Sequence, residues 1–122
     1  MADPVVYFEI VGNDAPALRA FYSAAFGWQI GERMPGAGIA DYTLIEPARG
    51  GVAGGIGAAP NGYDGHITFY VAVADVARAL EAIEKSGGKR MMGPERVPGG
   101  PIIALFRDPE GRVVGLTQSE ST

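Results

Sequence analysis

Residues 5–28 read Val5-Val6-Tyr7-Phe8-Glu9-Ile10-Val11-Gly12-Asn13-Asp14-Ala15-Pro16-Ala17-Leu18-Arg19-Ala20-Phe21-Tyr22-Ser23-Ala24-Ala25-Phe26-Gly27-Trp28. The first seven alternate. Val6, Phe8 and Ile10 share one face and Val5, Tyr7, Glu9 and Val11 the other, the pattern of a half-buried strand. Gly12-Asn13-Asp14 turns the chain, with Asn13 or Asp14 as N-cap and Pro16 in the first helical turn. Leu18, Phe21, Tyr22, Ala25 and Phe26 then recur at helical spacing until Gly27 stops the helix.

The periodicity changes again downstream. Strands are expected near Trp28–Arg33, Ile39–Glu46 and Val52–Ala58, separated by Pro35-Gly36-Ala37-Gly38 and Pro47-Ala48-Arg49-Gly50-Gly51. Residues 59–65 read as a connector. A strand from His66 to Val73 follows, then Asp75 as N-cap of a helix striped by Val76, Ala79, Leu80 and Ile83, closed by Gly87-Gly88. Strands near Lys89–Met92, Ile102–Arg107 and Arg112–Gln118 complete the chain, the last entered through Asp108-Pro109-Glu110-Gly111. Residues 94–101 between them read either as a lid or as a plain surface loop.

The second half repeats the first. At a fixed offset of 61 positions (69 − 8 = 61), Phe8 falls on Phe69, Asp14 on Asp75, Gly27 on Gly88 and Gly38 on Gly99; Leu44, Gly50, Val52 and Gly54 fall on Leu105, Gly111, Val113 and Gly115. Each half reads strand–helix–strand–strand–strand. A sheet with one helix has one face uncovered and needs a partner for it. The expected fold is therefore α+β: two βαβββ modules, about 4–58 and 64–119, in tandem within a single domain spanning 1–122. They are expected to form a half-open, cup-shaped barrel with the helices outside. Val6, Phe8 and Ile10, with Ile67, Phe69 and Val71, should pack under the helices. Tyr7 and Glu9, with His66, Thr68 and Tyr70, should point into the concavity.

Composition narrows the function classes. A chain of 122 residues that is 47% hydrophobic and 20% charged can bury a real core. The net charge of −4, without a Lys/Arg cluster, argues against nucleic acid. With no cysteine, disulfides, thiolate nucleophiles and thiolate metal sites are excluded. The N-terminal residues lack a signal-peptide pattern, and no apolar run approaches the roughly 20 residues needed to span a bilayer, so a cytoplasmic location is expected and a membrane partner is not.

Phe21-Tyr22 followed by Phe26-Gly27-Trp28, Gly87-Gly88 after the second helix, and Asp108-Pro109-Glu110-Gly111 before the last strand give the chain a resemblance to the vicinal oxygen chelate superfamily. That superfamily includes glyoxalase I, bleomycin-resistance proteins and extradiol dioxygenases. The resemblance implies paired βαβββ modules around a cup, dimer formation, and in metal-dependent members four His, Glu or Gln ligands from the first and last strands of each module. Carried over one by one, those positions fall on Tyr7, Gly54 (or Gly55), Thr68 and Gly115. Two of the four lack a donor side chain, a threonine hydroxyl is a poor ligand, and a tyrosine must ionise against a pKa of about 10. The expectation is no metal and no cofactor. His66, with Glu9 as second ligand, is the one alternative donor.

Without a metal, Glu9 is the candidate for chemistry: a carboxylate withdrawn from water would serve as a general base. Tyr7 and Tyr70 could stack on a planar ligand, and Gly54, Gly55 and Gly115 read as room left in the cup. The expected function is a metal-free, homodimeric small-molecule-binding protein with Tyr7, Glu9, Gly54, Thr68, Tyr70 and Gly115 at its site. The alternative is a glyoxalase-like lyase or isomerase, or a dioxygenase-type enzyme, with Glu9 as base or with a divergent metal site.

Overall fold

The computed structural model describes residues 2–34 and 39–118. The separator Pro35-Gly36-Ala37-Gly38, and with it the Gly38–Gly99 correspondence, lies outside the described residues. The element order is β1 (Val5–Gly12), α1 (Ala15–Phe26), β2 (Ile30–Met34), β3 (Ala40–Ile45), β4 (Ala53–Ala58), β5 (His66–Ala72), α2 (Val76–Lys85), β6 (Lys89–Arg96), β7 (Ile102–Arg107) and β8 (Val113–Gln118). This is βαβββ twice, as the repeat predicts. The chain divides into two compact units, Tyr7–Ile67 and the residues from Thr68 onward together with those before Tyr7. Among the described residues no helix is long and apolar enough to cross a membrane.

In the first unit the strands run in the order β2-β3-β4-β1, with β1 parallel to β4 and the other pairs antiparallel. Asp14 caps α1, its carboxylate accepting from the Ala17 N–H at 3.0 Å, and Gly27 ends the helix with φ 70°. A left-handed residue there costs glycine nothing and closes the last turn through its N–H to Ser23 O. The core under α1 is Ile10, Ala15, Ile45 and Ile56, with Phe8, Leu18, Tyr22 and Trp28 packed against it. Trp28 lies among Phe8, Tyr22 and Phe26 at ring-centroid distances of 5.2–5.3 Å. It is a packing residue.

In the second unit the order is β5-β8-β7-β6, with β5 parallel to β8. Asp75 caps α2 through the Arg78 N–H at 3.1 Å. Val76, Leu80, Ala104 and Leu116 form its core, with Val71, Val73 and Ile83 against it. Only the C-terminal part of β5 is covered. Ile67 is 72% and Phe69 44% exposed, contrary to the expectation that both pack under the helix. The reason is where α2 docks: its buried positions meet Val71 and Val73, at the end of β5 from which the chain turns into the helix. Val6 is also exposed, while Phe8 and Ile10 pack as expected.

Residues 94–101 are not a lid. Pro94 to Arg96 extend β6, and the remainder is a tight β6–β7 hairpin turn closed by Val97 N–H to Pro101 O at 2.9 Å.

Candidate functional site

In the first unit, β1 alternates as its sequence requires: Phe8 and Ile10 go under α1, so Tyr7 and Glu9 project from the opposite face. On that face five side chains form one continuous hydrogen-bonded chain. The Tyr7 hydroxyl is 2.8 Å from the Tyr42 hydroxyl, which donates to Glu9 Oε2 at 2.9 Å. Glu9 Oε1 lies 2.8 Å from His66 Nε2, and His66 Nδ1 lies 2.6 Å from the Tyr63 hydroxyl. Glu9 is 3% exposed and the His66 side chain 6%. Tyr7 and Tyr63, at the two ends, are half-buried.

Local structure sets each member in place. Tyr42 belongs to β3, two strands from β1, so its ring must cross β4 to reach Glu9. Gly55 and Gly57 make this possible. A Cβ at Gly55 would overlap the Tyr42 hydroxyl, and one at Gly57 would sit 2.7 Å from Tyr42 Cδ1. Tyr42 is aimed there by a bulge: Ala40 pairs with Ala58 but Thr43 with Ile56, so β3 spends one extra residue between them. Asp41 takes that turn with φ 53°, held by Arg19 of α1 through bonds to its carbonyl at 3.1 Å and its carboxylate at 3.1 Å. Tyr63 is presented by a tight turn, its N–H on Pro60 O at 3.1 Å and Gly62 at φ 83°.

The electrostatics follow from enclosure. Burial pushes the Tyr7 phenol up to about 12; the Tyr42 hydrogen bond opposes this and the Glu9 charge adds to it. Tyr42 is pushed up further, by burial first and then by Glu9 and Tyr7. Both tyrosines stay protonated hydrogen-bonding groups.

Three expected residues, Tyr7, Glu9 and His66, are thus brought together. Gly55 rather than Gly54 shares their face, because Gly54 faces α1 and the Phe8 ring occupies the space a side chain there would fill. Thr68, Tyr70 and Gly115 belong to the second unit. Thr68 donates to Val113 O at 2.6 Å, and Tyr70, buried, lays its ring where a Gly115 side chain would stand, 2.6 Å from the position of a Cβ. The glycines are not open room. Phe8, Tyr42 and Tyr70 fill it. The equivalence of Gly54 with Gly115 also fails: Gly55 pairs with Glu9 and Gly115 with Tyr70, so the offset is 61 on β1 and β5 (70 − 9) but 60 on β4 and β8 (115 − 55).

Tyr42 and Tyr63 are the members that sequence reasoning missed. The signal for Tyr42 lay in the alternation of β3 opposite the Gly55-Ile56-Gly57 stretch. A hollow of about 230 Å³ lined by Phe8, Trp28, Ile45 and Val52 opens on the α1 side, away from this network.

The donor set does not suit the metal that the fold family implies. Tyr7 holds its proton and bonds Tyr42, Gly55 and Gly115 offer no donor atoms, and Thr68 spends its hydroxyl on a backbone carbonyl. Glu9 and His66 bind each other at 2.8 Å rather than converging on a third point. Among the described residues no three His, Asp or Glu side chains cluster as a metal site would need.

The sequence model of the glyoxalase/bleomycin resistance protein/dioxygenase superfamily matches residues 5–116. The chain belongs to this superfamily. Curated relatives named "Putative glyoxylase CFP32", from Mycobacterium bovis and Mycobacterium tuberculosis, are 28% identical over 93% of this chain. The match spans 44% of their length, so this chain is similar to less than half of each. Methylmalonyl-CoA epimerase from Mycobacterium tuberculosis has a similar fold, with a TM-score of 0.71 at 13% identity, covering 96% of this chain and 88% of that one. A methylmalonyl-CoA epimerase in complex with methylmalonyl-CoA and NH4+ gives 0.67 at 19% identity, over 99% and 97%. At such identities the likeness concerns the fold alone, and the superfamily's α+β architecture of two βαβββ modules is the one found here.

Proposed function

We propose that this chain is a small-molecule-binding member of the superfamily that holds its ligand without a metal, with Glu9 of the first unit as the polar group that meets it. The observation that carries the reading is the fixing of the Glu9 carboxylate, almost fully enclosed, by Tyr42 on one oxygen and His66 on the other. Burying a carboxylate is costly unless its lone pairs are met, and a chain that keeps one opposite its helix, where an apolar residue would serve packing better, uses it for recognition. Tyr7 is proposed to line the site beside Glu9, and a cytoplasmic homodimer is the expected setting.

The test is a ligand-detected NMR screen of a metabolite panel, repeated on Glu9→Gln, with elemental analysis of the purified protein. The reading expects a ligand that binds the wild type, perturbs the ring of His66, the one histidine of the chain, and is lost in the variant. Ligands indifferent to Glu9→Gln would refute it, as would a stoichiometric transition metal.

A second reading is favoured by the contacts that hold Glu9. Tyr42 and His66 each bond one Glu9 oxygen, at 2.9 and 2.8 Å, so the carboxylate is held in one orientation from which a proton could be taken and returned. In an isomerase of this kind Glu9 would take the proton from a carbon beside a carbonyl, the C–H pair passing to the carbonyl as an enolate, and the proton would return to the other face or the neighbouring carbon. The similarity to proteins named glyoxylase and epimerase supports this reading. It predicts deuterium exchange from heavy water into such a substrate, abolished by Glu9→Gln.

A further inference from the structure

Beside the β3–β4 connection the first unit leaves an apolar hollow with a single charged side chain in its lining. Its volume is about 230 Å³, and Phe8, Trp28, Ile45 and Val52 wall it, with Glu46 as the charged group. Neither ring closes it. Phe8 lies over Gly54, in the space a side chain there would take, and Trp28 is held among Phe8, Tyr22 and Phe26 at 5.2–5.3 Å. Atoms that face a void forgo the dispersion contacts of a packed interior, so an apolar guest restores those contacts and takes its own surface out of water. An apolar cavity of about 150 Å³ takes up benzene, so this one has room for a single aromatic ring with a short substituent.

The backbone sets Glu46 at this place. It continues β3 by one residue, its N–H on Gln29 O at 3.1 Å, and the following Pro47 restricts it to extended conformations. Ala48 and Gly51, which complete the wall, are the two ends of a tight turn closed by the Gly51 N–H on Ala48 O at 2.7 Å. Arg49 and Gly50 between them are both left-handed, with φ 47° and 78°, the pattern of a type I′ turn. Arg49 does not neutralise the hollow: among the described residues Glu46 enters no ion pair.

We infer that this hollow is a second small-molecule site, for aromatic amines: one ring against the Phe8–Trp28 wall, with a protonated amine at Glu46. Aromatic walls favour an aromatic guest through offset and edge contacts, and both the rings and the carboxylate attract a cation. An anion would meet the like charge of Glu46, in a chain whose net charge is already −4. The site is separate from the Glu9 network, because Phe8 and Glu9 project from opposite faces of β1.

Trp28 is the only tryptophan of the chain and His66 the only histidine, so each site has its own spectroscopic signal. Benzylammonium, benzyl alcohol and benzoate share a ring and differ in charge. Titrated into the wild-type chain at neutral pH, benzylammonium is expected to change Trp28 fluorescence saturably and to leave the His66 ring resonances in place. It should bind about five-fold more tightly than benzoate, the scale of an ion pair with an exposed carboxylate, with benzyl alcohol between them. Glu46→Gln should bring the three affinities together without abolishing binding. Val52→Phe, at a position 43% exposed, puts a larger apolar side chain into the hollow and should abolish it.

Benzoate binding as tightly as benzylammonium, Trp28 fluorescence that no probe saturates, or a Val52→Phe chain that binds as before overturns the inference. So does benzylammonium that moves His66 and leaves Trp28 unchanged. Trp28 fluorescence that answers to protein concentration and to none of the probes overturns it too, in favour of a second copy covering the hollow. The Glu9 reading is judged separately, by the metabolite screen and His66.

Discussion

Replacing Tyr42 by phenylalanine removes one oxygen atom and two hydrogen bonds. The bond to Glu9 Oε2, at 2.9 Å between buried groups, is charge-assisted; the bond from Tyr7, at 2.8 Å, is between neutral hydroxyls. A hydrogen bond to a charged group contributes about 1.5–3 kcal/mol and a neutral one about 1 kcal/mol, so Tyr42→Phe should cost roughly 3 kcal/mol. Tyr7→Phe loses the neutral bond to Tyr42, a loss of about 1 kcal/mol. The two are not additive. Once Tyr42 lacks its oxygen the Tyr7–Tyr42 bond is already gone, so adding Tyr7→Phe should cost about 1 kcal/mol less than it does alone, which is the coupling in the double-mutant cycle. Urea unfolding followed by circular dichroism reads all three. With a slope of about 1.5 kcal/mol per molar, Tyr42→Phe should lower the midpoint by about 2 M. A loss within about 0.5 kcal/mol, the range of an uninvolved surface position, would show that Glu9 does not depend on Tyr42 and would refute the reasoning.

Three further outcomes follow from the same geometry. Gly55→Ala forces a methyl into the Tyr42 hydroxyl and should cost about 1–3 kcal/mol by overpacking, seen in the same urea assay, although alanine suits strands no worse than glycine. Tyr7 ionises less readily in the folded chain than at the ordinary value of 10.0, so its contribution to stability is whole below that pH and is lost as pH rises toward about 12; Tyr7→Phe should remove one late-titrating phenol from the ultraviolet phenolate absorbance and flatten this part of the stability curve. Asp108 is held below the usual carboxylate range chiefly by the Arg112 backbone N–H, with those of Glu110 and Gly111 and the Arg112 charge assisting. Its contribution is present above the ordinary carboxylate range and is lost as pH falls through the depressed value, so Asp108→Asn should reduce the acid sensitivity of the last turn, measured by backbone NMR of Gly111 and Arg112.

The fold was legible where the relevant interactions are local. Asp14, Asp75 and Gly27 cap their helices as their positions in the sequence require, because capping depends on a few adjacent backbone groups. The repeat was legible in element order and failed in fine register: one residue separates the offsets of β1/β5 and β4/β8, and a single-residue shift moves a side chain to the other face of a sheet. That shift misplaced Gly54. The site was half legible. Glu9 and Tyr7 follow from alternation, whereas Tyr42 depends on a bulge at Asp41 and on a ring crossing the intervening strand over Gly55 and Gly57, neither of which is local in sequence. Tyr63 stood in a stretch that reads only as a connector. Exposed Ile67 and Phe69 show the same limit: strand alternation assigns a face, and the docking position of α2 decides how much of that face is covered.

The central claim is that Glu9 is a fixed carboxylate that meets the ligand, and the only histidine in the chain reports on it directly. Long-range ¹H–¹⁵N NMR of His66 at neutral pH distinguishes a protonated from an unprotonated Nε2. A proton on Nε2 in the free protein, and ring-nitrogen shifts that saturate when a ligand from the screen binds, are the predicted results. An unprotonated Nε2, or ring nitrogens unmoved by every ligand that binds the protein, would contradict it.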